Sequence, residues 1–223
     1  MIRLDCAAAL LLTVSAFAAD SHIANFHQLT HGGQNAEAYW APDGKRLIFQ
    51  STRPPLECDQ MFIMNADGSD QHMVSTGKGR TTCGYFLADN KHIVYASTHG
   101  AGDACPKPPD RSHGYVWGVF GGYDIYLATD DGKILKPLTN TPGYDAEATI
   151  NWKTGNMVYT SLASGDLDLW TIENGWLAEE TNHEEGRLRW RRGILARWPQ
   201  VSVARQLSQD AGRHGALQGA AGR

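Results

Sequence analysis

One unit of sequence recurs along this chain, and a chain of repeats has few folds open to it. The first copy runs from Gln28-Leu29-Thr30 through Tyr39-Trp40-Ala41-Pro42-Asp43-Gly44-Lys45 and Leu47-Ile48-Phe49-Gln50-Ser51 to Met61-Phe62-Ile63-Met64 and Asp67-Gly68. The second keeps that order with Tyr85 to Lys91, His92 to Ser97, Asp124-Ile125-Tyr126-Leu127, Asp131-Gly132 and Pro137-Leu138-Thr139. The third has Ile150 to Gly155, Asn156 to Ser161, Asp168 to Ile172 and Asn174-Gly175. Short apolar runs punctuated by Asp-Gly-like turns at a period of about 40 to 45 residues define four-stranded propeller blades. The chain is therefore expected to be all-β: three blades at about 26–76, 77–140 and 141–182, followed by a non-propeller tail at 183–223.

The second copy is longer than the third by roughly 20 residues, which lie at 100–122. Rich in glycine, proline and charge, they read as a surface loop between the second and third strands of their blade. Asp43-Gly44 and its counterparts fall between first and second strands, where aspartate bonds the local backbone and glycine supplies a positive φ.

These residues resemble the WD-like repeats of TolB-type six-bladed β-propellers, whose unit carries Leu-Thr, a Ser-Pro-Asp-Gly-Lys turn, an Ile-Ala-Phe-x-Ser strand, an Ile-Tyr-x-Met strand and an Asp-Gly-Ser turn. The first repeat matches almost throughout, down to Asn65-Ala66-Asp67-Gly68-Ser69. The second and third carry Ala88-Asp89-Asn90 and Lys153-Thr154-Gly155 in place of the Pro-Asp-Gly centre. The resemblance spans 26 to about 182 and implies three blades of an expected six, without implying an activity.

With 42% hydrophobic and 20% charged residues in 223, the composition is that of a globular protein. Residues 1–19 read as a secretory signal: Arg3, an apolar run from Cys6 to Ala18, and Ala16-Phe17-Ala18 as cleavage site. That run is too short to span a bilayer, so no transmembrane span is expected and the protein is placed in the periplasm or outside the cell.

Export leaves Cys58, Cys83 and Cys105, an odd number for an oxidising compartment. Repeat alignment puts all three toward one face, with Cys83–Cys105 the favoured disulfide and Cys58–Cys83 the second choice. Their spacing matches no zinc site, and no metal or other cofactor is expected.

Residues 187–223 hold eight arginines and one acidic residue, a formal +7, whereas residues 1–186 hold twelve basic and 23 acidic residues, a formal −11. The repeat breaks at the same point. Read one base later through permitted codons, Arg187 to Gln200 spells Gly-Tyr-Asp-Gly-Gly-Ala-Ala-Phe-Ser-Pro-Asp-Gly-Pro, the repeat that should follow. Trp190 and Trp198 have a single codon each, and both shifted codons give the expected glycines. The tail is thus read as frameshift-derived, disordered or loosely helical, with no nucleic-acid role and no capacity to cap the open end of the array. Both end blades are expected to leave apolar faces in water.

No Gly-x-Ser-x-Gly elbow, Gly-rich phosphate loop or His-Glu-x-x-His is present. Candidate binding residues are the carboxylates at the starts of first strands, Glu37, Asp145 and Glu147, which either converge at the propeller mouth to hold a cation or basic segment, or bond backbone between blades. Tyr115 and Trp117, with Phe120 and Tyr123, are aromatic anchors on the long loop or a cover for the blade edge. The resemblance implies an exported, non-enzymatic module binding an unknown protein or small ligand in the cell envelope. The alternative is part of the propeller of a prolyl-oligopeptidase-like serine peptidase without its catalytic domain.

Overall fold

A computed structural model describes residues 25–173 and the backbone of 190–192. Three four-stranded sheets follow one another along the chain, each ordered as in sequence and antiparallel throughout. The first comprises β1 (Gln34–Trp40), β2 (Arg46–Thr52), β3 (Gln60–Asn65) and β4 (His72–Met73). β5 (Thr81–Phe86), β6 (His92–Ser97), β7 (Asp124–Thr129) and β8 (Ile134–Pro137) form the second. The third has β9 (Asp145–Ile150), β10 (Met157–Ser161), β11 (Asp168–Ile172) and β12 (Trp190–Arg192).

The period-2 alternation sends side chains to both faces of each sheet, and the faces that meet between neighbouring blades are buried against each other. Ile48, Met61 and Ile63 of the first blade meet Phe86, Ile93 and Tyr95 of the second in one buried cluster. Val94, Ile125 and Leu127 of the second meet Ala146, Met157 and Tyr159 of the third in another. Two turn glycines lie against the chain beside them. Gly68 has φ 85° and lies so close to Leu29 that an added Cβ would sit 3.0 Å from its carbonyl oxygen; Gly132, φ 91°, meets Val74 in the same way at 3.2 Å. A side chain at either tip would be strained by the backbone, and at Gly132 it would also press on Val74 of the first blade.

Two expectations change. The outer face of the first blade is covered: Leu47, Phe49, Phe62 and Met64 are buried against Leu29 and Leu56, and the Arg53 guanidinium lies 4.4 Å from the Phe62 ring centre and 5.7 Å from that of Phe49. A long cationic side chain shields aromatic surface while keeping its head in water. The third blade also extends beyond 182. Its outer strand is Trp190–Arg192, from the arginine-rich stretch, pairing Trp170 with Arg192 and Ile172 with Trp190. A sheet edge offers backbone groups, and any extended backbone can pair with them.

Candidate functional site

The innermost strand of every blade carries the same irregularity. Glu37 (φ 50°), Cys83 (φ 50°) and Glu147 (φ 61°) all adopt the left-handed conformation, and each sits where the first strand slips register against the second. The bulge turns these three residues to one wall, with the Cys83 thiol feeling the charges of both glutamates. Burial pushes that thiol up to about 12. None of the three is glycine, so the sequence carries no signal for the bulge.

The predicted carboxylates part company here. Glu37 is exposed and accepts a hydrogen bond from Tyr39. Glu147 accepts from the Tyr144 hydroxyl at 3.3 Å and the Thr160 hydroxyl at 2.9 Å. Asp145 is wholly buried, 0% exposed: its amide donates to the Tyr123 carbonyl of the preceding blade, and its carboxylate accepts from Thr141 at 2.6 Å. It belongs to the blade seam rather than the mouth.

The long loop leans back over the first blade. Asp103 accepts from the Gly79 amide at 2.8 Å and pairs with Lys78 at 2.8 Å. Cys105 is joined to Cys58, with Cα atoms 6.0 Å apart, and Cys83 is free. The expected Cys83–Cys105 pair is thus replaced. The β2–β3 connection of one blade and the β6–β7 loop of the next meet above the seam, whereas Cys83 sits down in the inner strand, its amide donating to Gln50 Oε1 at 3.3 Å.

Between this loop and the first seam lies a cleft of about 350 Å³. Its floor holds Arg80 and Asp59, paired at 2.8 Å with roughly a fifth of each side chain exposed. Asp59 also accepts from the Thr52 hydroxyl. The roof and sides are Pro108, Pro109, Arg111, Tyr115, Trp117 and Phe120, with Tyr123 and Tyr144 at the back. Tyr115 is 73% exposed and Trp117 59%, their rings 6.5 Å apart at 65°. Phe120 instead packs on Arg80, 5.5 Å from its guanidinium. The Tyr144 phenol at the back is pushed upward first by burial and then by the charge of Glu147. Tyr115 and Trp117 are thereby brought into one site with Arg80, Asp59, Gln34 and Gln50, four residues the sequence did not single out, while Glu37 and Asp145 stay outside it. Among the described residues no group of three or more histidine, cysteine or acidic side chains is placed to hold a metal ion.

The fold defines a class: consecutive antiparallel blades of a β-propeller. Similar solved structures include TolB from Acinetobacter baumannii, 17% identical, TM-score 0.49, covering 65% of this chain and 31% of that one. Another is putative TolB from Agrobacterium tumefaciens, 15% identical, TM-score 0.44, covering 61% and 42%. The chain thus spans less than half the length of either. No protein-family model matches the chain, and no curated protein matches it.

Proposed function

We propose that this chain is an exported, non-enzymatic, TolB-like propeller module of the cell envelope that binds a ligand or protein segment in the cleft beneath the 100–122 loop. The observation that carries the reading is the pair Tyr115 and Trp117, held above a polar floor yet 73% and 59% exposed. Large aromatics left in water at the rim of a concave site are characteristic binding anchors. Glu37 and Glu147 form a second, acidic surface on the inner strands that suits a basic segment of the same partner.

The test is native mass spectrometry of the oxidised protein and a Tyr115→Ala/Trp117→Ala variant after exposure to fractionated cell-envelope extract. Species held by the parent and lost from the variant are expected; identical spectra would overturn the reading. The same proposal takes the arginine-rich stretch from 187 onward as out of frame with the repeat, a reading supported by the abrupt change in formal charge from −11 over 1–186 to +7 over 187–223. Resequencing codons 180 to 223 decides it: an unchanged frame refutes the shift.

A further inference from the structure

We infer that the cleft is built for a small neutral or acidic saccharide, a deepening that rests on the binding reading above. The composition of the lining narrows the ligand class. Fifteen residues surround the cleft, and no leucine, isoleucine, valine or methionine is among them. An acyl chain or aliphatic side chain would find only the Pro108 and Pro109 rings as aliphatic partners there. A sugar ring has two kinds of surface, a rim of hydroxyls that each donate and accept, and faces of C–H bonds. Planar polar groups match the rim and aromatic faces match the C–H surface.

Both kinds are present and already oriented. On the polar side, Asp59 is fixed by Arg80 at 2.8 Å. Gln50 Oε1 accepts from the Thr82 hydroxyl at 3.1 Å and the Cys83 amide at 3.3 Å. With its oxygen so engaged, the Gln50 amide nitrogen has no partner among the described residues and is left to donate. Groups held by neighbours before the ligand arrives lose little freedom on binding. On the aromatic side, Tyr115 and Trp117 form two walls at 65°, and Arg111 stacks at 5.3 Å against Tyr115.

The ring geometry separates a saccharide from a proline-rich peptide, the other ligand that favours aromatic grooves. Such a peptide lies extended along a run of rings, whereas here two exposed rings, 6.5 Å apart at 65°, bound a single cleft of about 350 Å³. Two guanidinium groups against one carboxylate leave the lining positive, which favours hydroxyl-rich or acidic sugars over amino sugars. At about 350 Å³ the cleft is at the small end of ligand sites, of order 300–1,000 Å³.

The experiment titrates the oxidised full chain with a neutral disaccharide, a uronic-acid disaccharide, a glucosamine disaccharide and a proline-rich decapeptide. The readout is the ¹H–¹⁵N resonance of the Trp117 indole, assigned by its loss in Trp117→Phe. The neutral or uronic disaccharide should shift it, the glucosamine disaccharide should bind at least tenfold more weakly, and Trp117→Ala should weaken the productive sugar tenfold or more. Saccharide binding that Trp117→Ala leaves unchanged would overturn the proposal. If the peptide alone shifts the indole, the saccharide assignment fails and the binding reading stands. If nothing shifts it, the saccharide assignment fails too, and the binding reading is then decided by the extract comparison, which is blind to ligand class.

Discussion

Removing the Cys58–Cys105 bridge, as the Cys58→Ala/Cys105→Ala variant, should cost more stability than any single surface contact of the loop it ties down. The bond closes a segment with a sequence separation of 47. For a loop of that length, the chain-entropy relation gives about 14 cal/mol/K lost from the unfolded ensemble, or ~4 kcal/mol at 25 °C. Measured values scatter below such figures, so an effect of about 2–4 kcal/mol is expected. The exposed Lys78–Asp103 pair, with 57% and 71% of its side chains exposed, adds little. Guanidinium unfolding with linear extrapolation, at matched m-values, gives the difference. Cys83→Ala provides the control and should leave the bridge and most of the stability intact. A loss of less than about 1 kcal/mol in the bridge variant, or a larger loss in Cys83→Ala, would refute the assigned connectivity and its energetic role.

Other perturbations follow from single buried groups. Tyr95→Phe should stabilise the fold by ~1 kcal/mol, because its hydroxyl is buried with no partner among the described residues and its removal relieves that desolvation; thermal unfolding reads the gain, and a lower midpoint contradicts it. Gly79→Ala should cost 2 kcal/mol or more, on the order of the left-handed penalty plus overlap, since φ is 59° and the new Cβ would sit 2.7 Å from the His99 amide nitrogen; calorimetry checks it. Asp124 is raised above its ordinary 3.8 by burial and then by Asp145. A carboxyl raised on folding favours the folded state at low pH, and that contribution is lost as pH rises through its folded value. Asp124→Asn should therefore stabilise the protein at neutral pH, the gain fading as pH falls below the folded value and vanishing below 3.8. Denaturation at pH 7 and pH 3 separates this from a pH-independent effect, which would contradict it.

The blades were legible because their signal is local. The Asp43 carboxylate accepts from the Lys45 amide at 3.0 Å and that of Asp67 from the Ser69 amide at 2.9 Å, so the turns sit where the sequence puts them. The insertion at 100–122 was equally visible as an interruption of the period. What the sequence hid depends on which loops meet in space. Cys58 and Cys105 belong to different blades, and only the lean of the loop brings them together. Gln50 and Arg80 look like ordinary strand and loop residues until the seam places them beneath Tyr115 and Trp117. The internal repeat also explains Asp124. Gln60, its counterpart opposite Ser51 as Asp124 is opposite Ser97, is neutral and donates to the Gly79 carbonyl at 2.7 Å; an ionised aspartate cannot donate, and the second seam lacks that bond.

The cleft exists only if the 100–122 loop lies over the first seam. The most direct measurement is a nuclear Overhauser spectrum of the oxidised chain, with indole nitrogen and tyrosine ring protons selectively labelled. Cross-peaks from the Trp117 indole to the Tyr144 ring are predicted, because both side chains line the one cleft beneath the loop. A folded protein whose Trp117 indole shows cross-peaks to neither Tyr144 nor Tyr115 would place the loop elsewhere and remove the cleft.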